Sequence, residues 1–496
     1  MTLARKQLSQ TIKMKHRTRR LLSSFIAIGS ITSQMAIAHP VAAQTAAYCQ
    51  LPANTAKQKD DLRQAALNGN SEAQERYEDL IEEHGDWLRQ CRDRVWPKTQ
   101  AIWLRLYPCD ARPGAMDAVL DRIVNKGYNQ IHVEVFYDAR VLLPANDNPT
   151  TWPSVARTPE TRDADLLAMA IEKGRDRGLK VYAWAFTMNF GYAYAQRPDR
   201  QQVLARNGKG QNSLSVVHDG SQAFIDPYNP QARNEYYQMV QSVAQRRPDG
   251  MLFDYIRYPR GTGNASVAAK VQDLWIYGEA SLQTLYQRGL NNQGRALIQS
   301  FVRKGSVSAS DIETAQRRYP QERTPNWQGR NLSSGNSRGA IQSQLWNLAV
   351  AHAAQGVIDF LSLATRPLEQ ANIPAGAVFF PDANQAVGQQ GYDSRLQPWD
   401  RFPTSLEWHP MAYAVCGNTN CIVDLVQQAV RQAPNQQVKI IPALAGYWGR
   451  RDGKRPSLEE QMAAIRQQVP RINAVSHFAY SWQEPKDDSQ RRSCRF

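Results

Sequence analysis

Residues 249–259, Asp-Gly-Met-Leu-Phe-Asp-Tyr-Ile-Arg-Tyr-Pro, carry an acid, Asp254, at the point where the run stops being apolar. A closed parallel barrel performs its chemistry at the C-terminal ends of its strands, so a carboxyl at such a point reads as catalytic before it reads as structural. The chemistry open to it is proton transfer, which works best when a second carboxyl is held in the opposite protonation state. Glu134 is the first candidate for that partner, because alternate strands of a barrel contribute to the same layer of side chains. Glu407, Asp382 and Glu484 follow. Arg105, Tyr255, Arg257 and His409 stand near these acids in the pattern as polar groups able to hold a ligand. Trp184, Tyr413, Trp448 and Trp482 lie in or just past strand-like runs, where flat rings offer an apolar face with one polar handle. Trp103, Trp408 and Tyr447 are placed similarly, with core packing as the alternative role.

Eight strand-like runs position these residues: 101–107, 130–136, 180–186, 250–256, 376–380, 405–413, 438–444 and 474–482. Helical stretches at 115–126, 163–177 and 230–246 precede the next strand, the last opening on Asn229 as N-cap with Pro230 in the first turn. Strand alternating with helix implies a parallel sheet, here an α/β fold of the (β/α)8 TIM-barrel type spanning 99–496. A short helical segment over 44–98, broken at Gly69 to Ser71, precedes it. After the fourth strand comes a long excursion whose polar part, about 260–340, reads as an elaborated loop over the active face. A helical run follows at 342–371.

Side-chain alternation along a strand separates lumen from exterior. It sends Trp103, Arg105 and Tyr107 inward from the first strand, His132 and Glu134 from the second, and Tyr182, Trp184 and Phe186 from the third. Leu252, Asp254 and Ile256 share one face of the fourth strand, and Glu407, His409 and Met411 one face of the sixth. A lumen this polar must either pair its charges internally or present them to a ligand. For Arg105 and Glu134 the structural alternative is a plain ion pair plugging the barrel.

Residues 1–43 hold seven Lys and Arg and no acid, and a basic stretch leads into the largely apolar 21–38. This reads as a secretory signal peptide, cut after Ala43 or Ala38, with Met14 a candidate start and a retained anchor helix the rival. No other segment reads as long and apolar enough to cross a bilayer. Without 1–43 the formal charge falls from +15 to +8, dispersed without a basic stripe, so nucleic acid is not implied. All six cysteines lie beyond the cut, an even number suited to an oxidising compartment. Their layout favours Cys49 with Cys91, Cys109 with Cys494, and Cys416 with Cys421. No CxxC spacing or neighbouring histidine points to zinc.

Three segments, in order on these elements, resemble the bacterial glycosyl-hydrolase-like family 10 barrels. They are FIDPYNPQARNEY at 224–236 running on to RRPDGMLFDYIRYP, DADLLAMAIEKGRDRGLKVYAWAF at 163–186, and WDRFPTSLEWHPMAY at 399–413. Two positions depart from that family: Asp-Asp-Tyr on its fourth strand is Asp254-Tyr255-Ile256 here, and an Asp on its sixth is Glu407. The resemblance implies a secreted, periplasmic or extracellular hydrolase of bacterial glycans, cell-wall strands or exopolysaccharide, with no cofactor. Independently, glycoside hydrolysis needs one protonated and one ionised carboxyl, which this lumen can supply. No acid lies in the seventh strand, against the pairing of a fourth-strand acid with a seventh-strand nucleophile. A non-catalytic glycan-binding barrel is the alternative. A metal-dependent hydrolase built on His132, Glu134, Asp254 and His409 is a weaker one, since no HxH or HExxH spacing supports it.

The leader yields the first prediction. Peptide mapping of protein recovered from the cell envelope is expected to find no residues 1–38; an intact leader there would mark an anchor.

Overall fold

The structure, a computed structural model, describes residues 48–494 apart from 218, 219 and 390. The leader expected over 1–43 lies outside the described residues. Eight parallel strands form the barrel: β1 (Thr99–Leu104), β2 (Gln130–Tyr137), β3 (Lys180–Phe186), β4 (Gly250–Asp254), β5 (Ala375–Phe379), β6 (Glu407–Ala412), β7 (Ala443–Ala445) and β8 (Ala474–Phe478), with Arg140–Val141 added antiparallel to β2. β1 pairs with β2, Ala101 opposite Gln130, and also with β8, Thr99 opposite Ala474, so the sheet closes on itself as a (β/α)8 barrel. β7 is shorter than its apolar run because Pro442 has no N–H to give the ladder. Before it, the chain still follows β6 through Trp408 N to Lys439 O and Ile441 N to Trp408 O, both 2.8 Å.

Outside the sheet lie α1 (Ala53–Leu67), α2 (Ser71–Arg94), α3 (Ala115–Asn125), α4 (Leu166–Asp176) and α5 (Pro230–Ala244). The Asn229 side chain accepts from Gln231 N and Ala232 N at 2.9 and 3.1 Å, the cap expected from the Asn-Pro pair. Asp165 caps α4 in the same way through Ala168 N. α1 and α2 pack together and dock on α3 and α4 through a buried polar cluster. In it Tyr77 Oη donates to Asp121 at 2.6 Å, and Arg177 donates to Asp121 and Asp117 at 2.9 and 3.0 Å. Arg92 of α2 is buried and donates to the carbonyls of Tyr48, Pro97 and Gly127, tying the segment before α1 to the start of the barrel.

The excursion after β4 differs from the expected loop over the active face. Residues 279–318 form α6 (Glu279–Gln287), α7 (Asn292–Lys304) and α8 (Ala309–Arg318), with buried Leu297, Ile298, Phe301, Val302 and Ile312 between them. This helical unit rests against α9 (Arg338–Ala371), on the outside of the barrel. Its polar surface concealed an apolar stripe spaced for helices, which is why the sequence read as loop. Asp226 fastens it: the buried carboxylate accepts from Tyr228 N and, across to α6, from Ser281 N, each at 3.0 Å. α9 packs along α5, and Gly356 lets it approach the Pro227-Tyr228 turn, where a Cβ would meet side-chain atoms at 2.7–2.9 Å. By length and composition α9 could cross a membrane, contrary to the expectation that no segment beyond the leader would; 61% of its most apolar window is buried in the protein.

Between β5 and β6 the described residues form short 3₁₀ turns and small antiparallel pairings in place of a barrel helix. After β6 come α10 (Asn420–Gln432), α11 (Leu458–Gln468), α12 (Tyr480–Gln483) and α13 (Pro485–Ser493). One large apolar core fills the space between strands and helices; a smaller one inside the barrel contains Trp103, Tyr182, Trp184, Leu252, Val378 and Met411. Two inward assignments fail, both beyond strand ends where alternation no longer holds. Tyr107 turns to α13, its hydroxyl 3.0 Å from Asp488, and Ile256 is buried in the outer core.

All six cysteines are paired as the layout suggested: Cys49–Cys91, Cys109–Cys494 and Cys416–Cys421. The second links residues 385 apart in sequence and lies beside the buried Arg491–Asp110 ion pair, whose two hydrogen bonds measure 2.8 and 2.6 Å. Closing so long a loop is worth about 6 kcal/mol in the chain-entropy account, and removal of a native bridge typically costs about 2–5 kcal/mol. A Cys109→Ser, Cys494→Ser double variant is expected to lose about that much in denaturant unfolding, whereas opening the five-residue Cys416–Cys421 loop should cost much less.

Candidate active site

The strand ends converge on a cavity of about 200 Å³. β1 and its continuation bring Trp103 and Arg105, β2 brings Glu134, β3 brings Trp184 and Phe186, and β4 brings Asp254, followed by Tyr255 and Arg257. Val378, Phe380, Met411, Tyr413 and Phe478 complete the wall from β5, β6 and β8. The lower lumen is filled, so the cavity opens at the C-terminal end only. Below it, toward the N-terminal end of the strands, the Tyr182 ring covers Gly250, where any Cβ would meet ring carbon at 2.4 Å.

Asp254 is the last residue of β4, its carbonyl held by Thr187 N at 2.7 Å. Tyr255 takes a left-handed φ of 53°, and this turn brings Tyr255 into the cavity wall beside Asp254 where a continuing strand would have pointed it outward. The Asp254 carboxyl accepts from Tyr255 N at 2.6 Å and from Trp184 Nε1 at 3.3 Å. Burial pushes its pKa up to about 6, against the smaller opposing pull of those donors and of Arg257. Glu134 is fully buried, and burial raises it as well, assisted by the charge of Asp254; the Arg105 guanidinium works the other way. Arg105 pairs with one Glu134 oxygen and lies 4.1 Å over the Tyr137 ring; the other oxygen, Oε1, has no partner among the described residues. The two acids are thus near enough to repel and differently supported, the arrangement that separates carboxyl protonation states.

Several expected residues stand elsewhere. Glu407 begins β6 at the opposite end of the barrel, so it cannot share the cavity with Asp254. It accepts from Lys439 at 2.6 Å and from Tyr182 at 3.3 Å, and although burial pushes it up, His409 and Lys439 hold it down at about 2. His409 lies in the filled lower lumen, its ring 5.5 Å from His132, and burial lowers both imidazoles. The set His132, Glu134, Asp254 and His409 is therefore split between two levels, and no three acid, His or Cys groups converge on a metal position among the described residues. Asp382 pairs with Arg395 at 3.2 Å and Glu484 with Lys126, both outside the cavity. Trp448 donates to Tyr128 Oη at 2.9 Å and packs on His477, away from the cavity. Trp482 stacks on Tyr447 at 5.4 Å, with the cavity residue Phe478 at 6.4 Å, so it stands next to the mouth without lining it. Val378, Phe380 and Phe478 line the cavity without having been singled out. They carry no titrating group, and only inward parity on β5 and β8 could have flagged them.

Every polar side chain of this wall from β1 through Arg257 lies in one stretch of sequence. Residues 84–276 match the family described as glycosyl hydrolase-like 10. The glycosyl hydrolase-like 10 stretch covers β1 to β4 with Arg105, Glu134, Trp184, Asp254 and Arg257, so the likeness to that family falls on the part of the barrel that carries the polar wall. No curated protein matches the chain. Among solved structures, the chain is similar to the catalytic domain of β-amylase from Paenibacillus polymyxa, with 10% identity, 77% of this chain and 92% of that one covered, and a TM-score of 0.47. A GH20 exo-β-N-acetylglucosaminidase from Vibrio harveyi shows 9% identity over 78% of this chain and 50% of its own, at 0.38. TtGalA, the α-galactosidase from Thermus thermophilus, shows 12% over 84% and 68%, at 0.33. At these identities and scores the likenesses carry nothing about substrate or mechanism.

The pH dependence of stability follows from Asp254. Its folded pKa of about 6 lies above the ordinary carboxyl range, so the folded state binds the proton more tightly than the unfolded state. Its contribution is therefore most favourable below about pH 4 and is lost as the pH rises through about 6, a change of about 3 kcal/mol at most. Asp254→Asn is expected to stabilise the protein by about 1–3 kcal/mol at pH 7.5 and by little at pH 4, as read by denaturant unfolding at the two pH values.

Proposed function

We propose that this protein is a secreted glycoside hydrolase of bacterial glycans, cell-wall strands or exopolysaccharide, in which Asp254 is the proton donor and Glu134 the second carboxyl. The observation that carries the reading is a buried acid of raised pKa at the end of β4, in a sugar-sized cavity walled by aromatic rings. In its protonated form Asp254 can donate to a leaving glycosidic oxygen, and Trp184 Nε1 holds the carboxyl in one orientation. Glu134, in its ionised form paired with Arg105, would stabilise positive charge on the sugar ring or activate its attacker. Trp103, Trp184, Phe186 and Phe478 exclude water and offer flat apolar faces for the ring to lie against. Three disulfides and the glycosidase-like family are in keeping with a site of action outside the cytoplasm.

A second reading, a glycan-binding barrel without catalysis, is favoured by one observation. Glu134 is already engaged by Arg105, which leaves Asp254 as the one cavity acid not held in an ion pair among the described residues.

Release of reducing ends from peptidoglycan and exopolysaccharide preparations separates the two readings. Hydrolysis is expected from the wild type, falling as the pH rises above about 6 because Asp254 loses its proton. Asp254→Asn should fold and lose about 100-fold or more of the activity, and Glu134→Gln should also fall steeply. Retained glycan binding with no hydrolysis by the wild type would establish the binding barrel instead.

A further inference from the structure

Arg257 is a buried cation whose charge no ion pair among the described residues explains. Its Nη1 donates to the Tyr258 carbonyl at 2.9 Å, and no carboxylate lies within ion-pair distance among the described residues. Its other neighbours are rings, with the guanidinium carbon 4.7, 5.4 and 5.9 Å from the centroids of Tyr255, Phe224 and Phe380. The other cation lining the cavity, Arg105, is satisfied by Glu134, and nearby Arg395 by Asp393 and Asp382. Asp254 shares the wall, but its oxygens take the N–H groups of Tyr255 and Trp184. A guanidinium has five donors in a rigid fork, and leaving such a charge desolvated and unpaired costs several kcal/mol. The aromatic contacts return only part of that cost.

We infer that Arg257 recognises an ionised group on the substrate, so that the cavity takes a sugar bearing a carboxylate next to Asp254. The inference rests on the glycan reading above and deepens it. One unpaired guanidinium in a cavity of about 200 Å³ matches a monoanion on a single sugar ring; a dianion such as phosphate would call for a second free cation. A carboxylate has the planar, two-oxygen geometry that the fork engages bidentately. Placed there, it would also disfavour ionisation of Asp254 by like-charge repulsion and help the acid keep its proton. The carboxylate can be carried at C6, as in a uronic acid, or on an ether-linked lactyl group.

Calorimetric titration of the full chain with two matched pairs tests this: glucuronate against glucose, and N-acetylmuramic acid against N-acetylglucosamine. At least one acid is expected to bind about tenfold or more tightly than its neutral counterpart, and the pair that shows the preference identifies the carboxylate's position. Arg257→Gln should abolish the preference, bringing the acid's affinity down to about that of its neutral counterpart. Arg257→Lys, which keeps the charge and loses the fork, should retain only part of it. Lys454→Gln, removing an exposed cation elsewhere, should not alter it. Equal binding of acid and neutral sugar, or a preference that survives Arg257→Gln, would overturn the assignment and leave the glycan reading standing. No binding by any of the four would overturn the assignment, and reducing-end release from the polymers would then decide the glycan reading separately.

Discussion

Pairing of β1 with both β2 and β8 is the constraint from which the site follows. A closed sheet has no free edge, so alternate side chains of all eight strands are driven into one lumen with no other place to go. That lumen is packed at the lower level by Tyr182, Leu252, His132 and His409, and it opens only where the strands end. The same closure explains why Asp254 and Glu134 are both dry. Each is the inward residue near the C-terminal end of its strand, surrounded by rings from neighbouring strands.

Polar groups in the barrel sort by level, and the sorting gives them different states. At the N-terminal end Glu407 is partly open to solvent and beside Lys439, and it stays ionised as an ordinary bracing group. At the other end Asp254 has hydrogen-bond donors and no ion pair among the described residues, so desolvation dominates and its pKa rises. Glu134 lies between these cases, buried completely but facing Arg105. Three acids of similar intrinsic acidity are thereby distinguished by position alone, which is how one scaffold can hold a proton donor and an ionised carboxylate together.

The periphery holds the strand ends in place. The Cys109–Cys494 bridge and the Arg491–Asp110 pair fasten α13 beside the end of β1, and Tyr107 and Asp488 add a hydrogen bond between the same elements. Asp226 joins the Asp-Pro turn before α5 to the helical unit after β4, so that unit is tied to the segment leading into β4. The long helix α9 then returns the chain to β5 along α5. None of the described residues of the helical unit lines the cavity, so it braces the barrel from outside and leaves the mouth open.

What the sequence determined by itself was whatever depends on local periodicity and local chemistry. Apolar runs bounded by turn residues located the strands, Asn229-Pro230 fixed the start of α5, and the end of an apolar run singled out Asp254. Parity correctly put Arg105, Glu134 and Trp184 on the lumen side, because alternation is a property of the extended chain itself. Tertiary structure decided the rest. Glu407 and Asp254 share inward parity, and only the closed barrel shows that they stand at opposite ends, since parity carries no height. Tyr255 enters the cavity through a left-handed turn that residue type does not announce. The helices of 279–318 emerge from a polar stretch because their buried stripe acquires meaning only against α9. Arg257 differs from Arg105 only in what surrounds it, and whether a charge is paired is settled by residues far away in the chain.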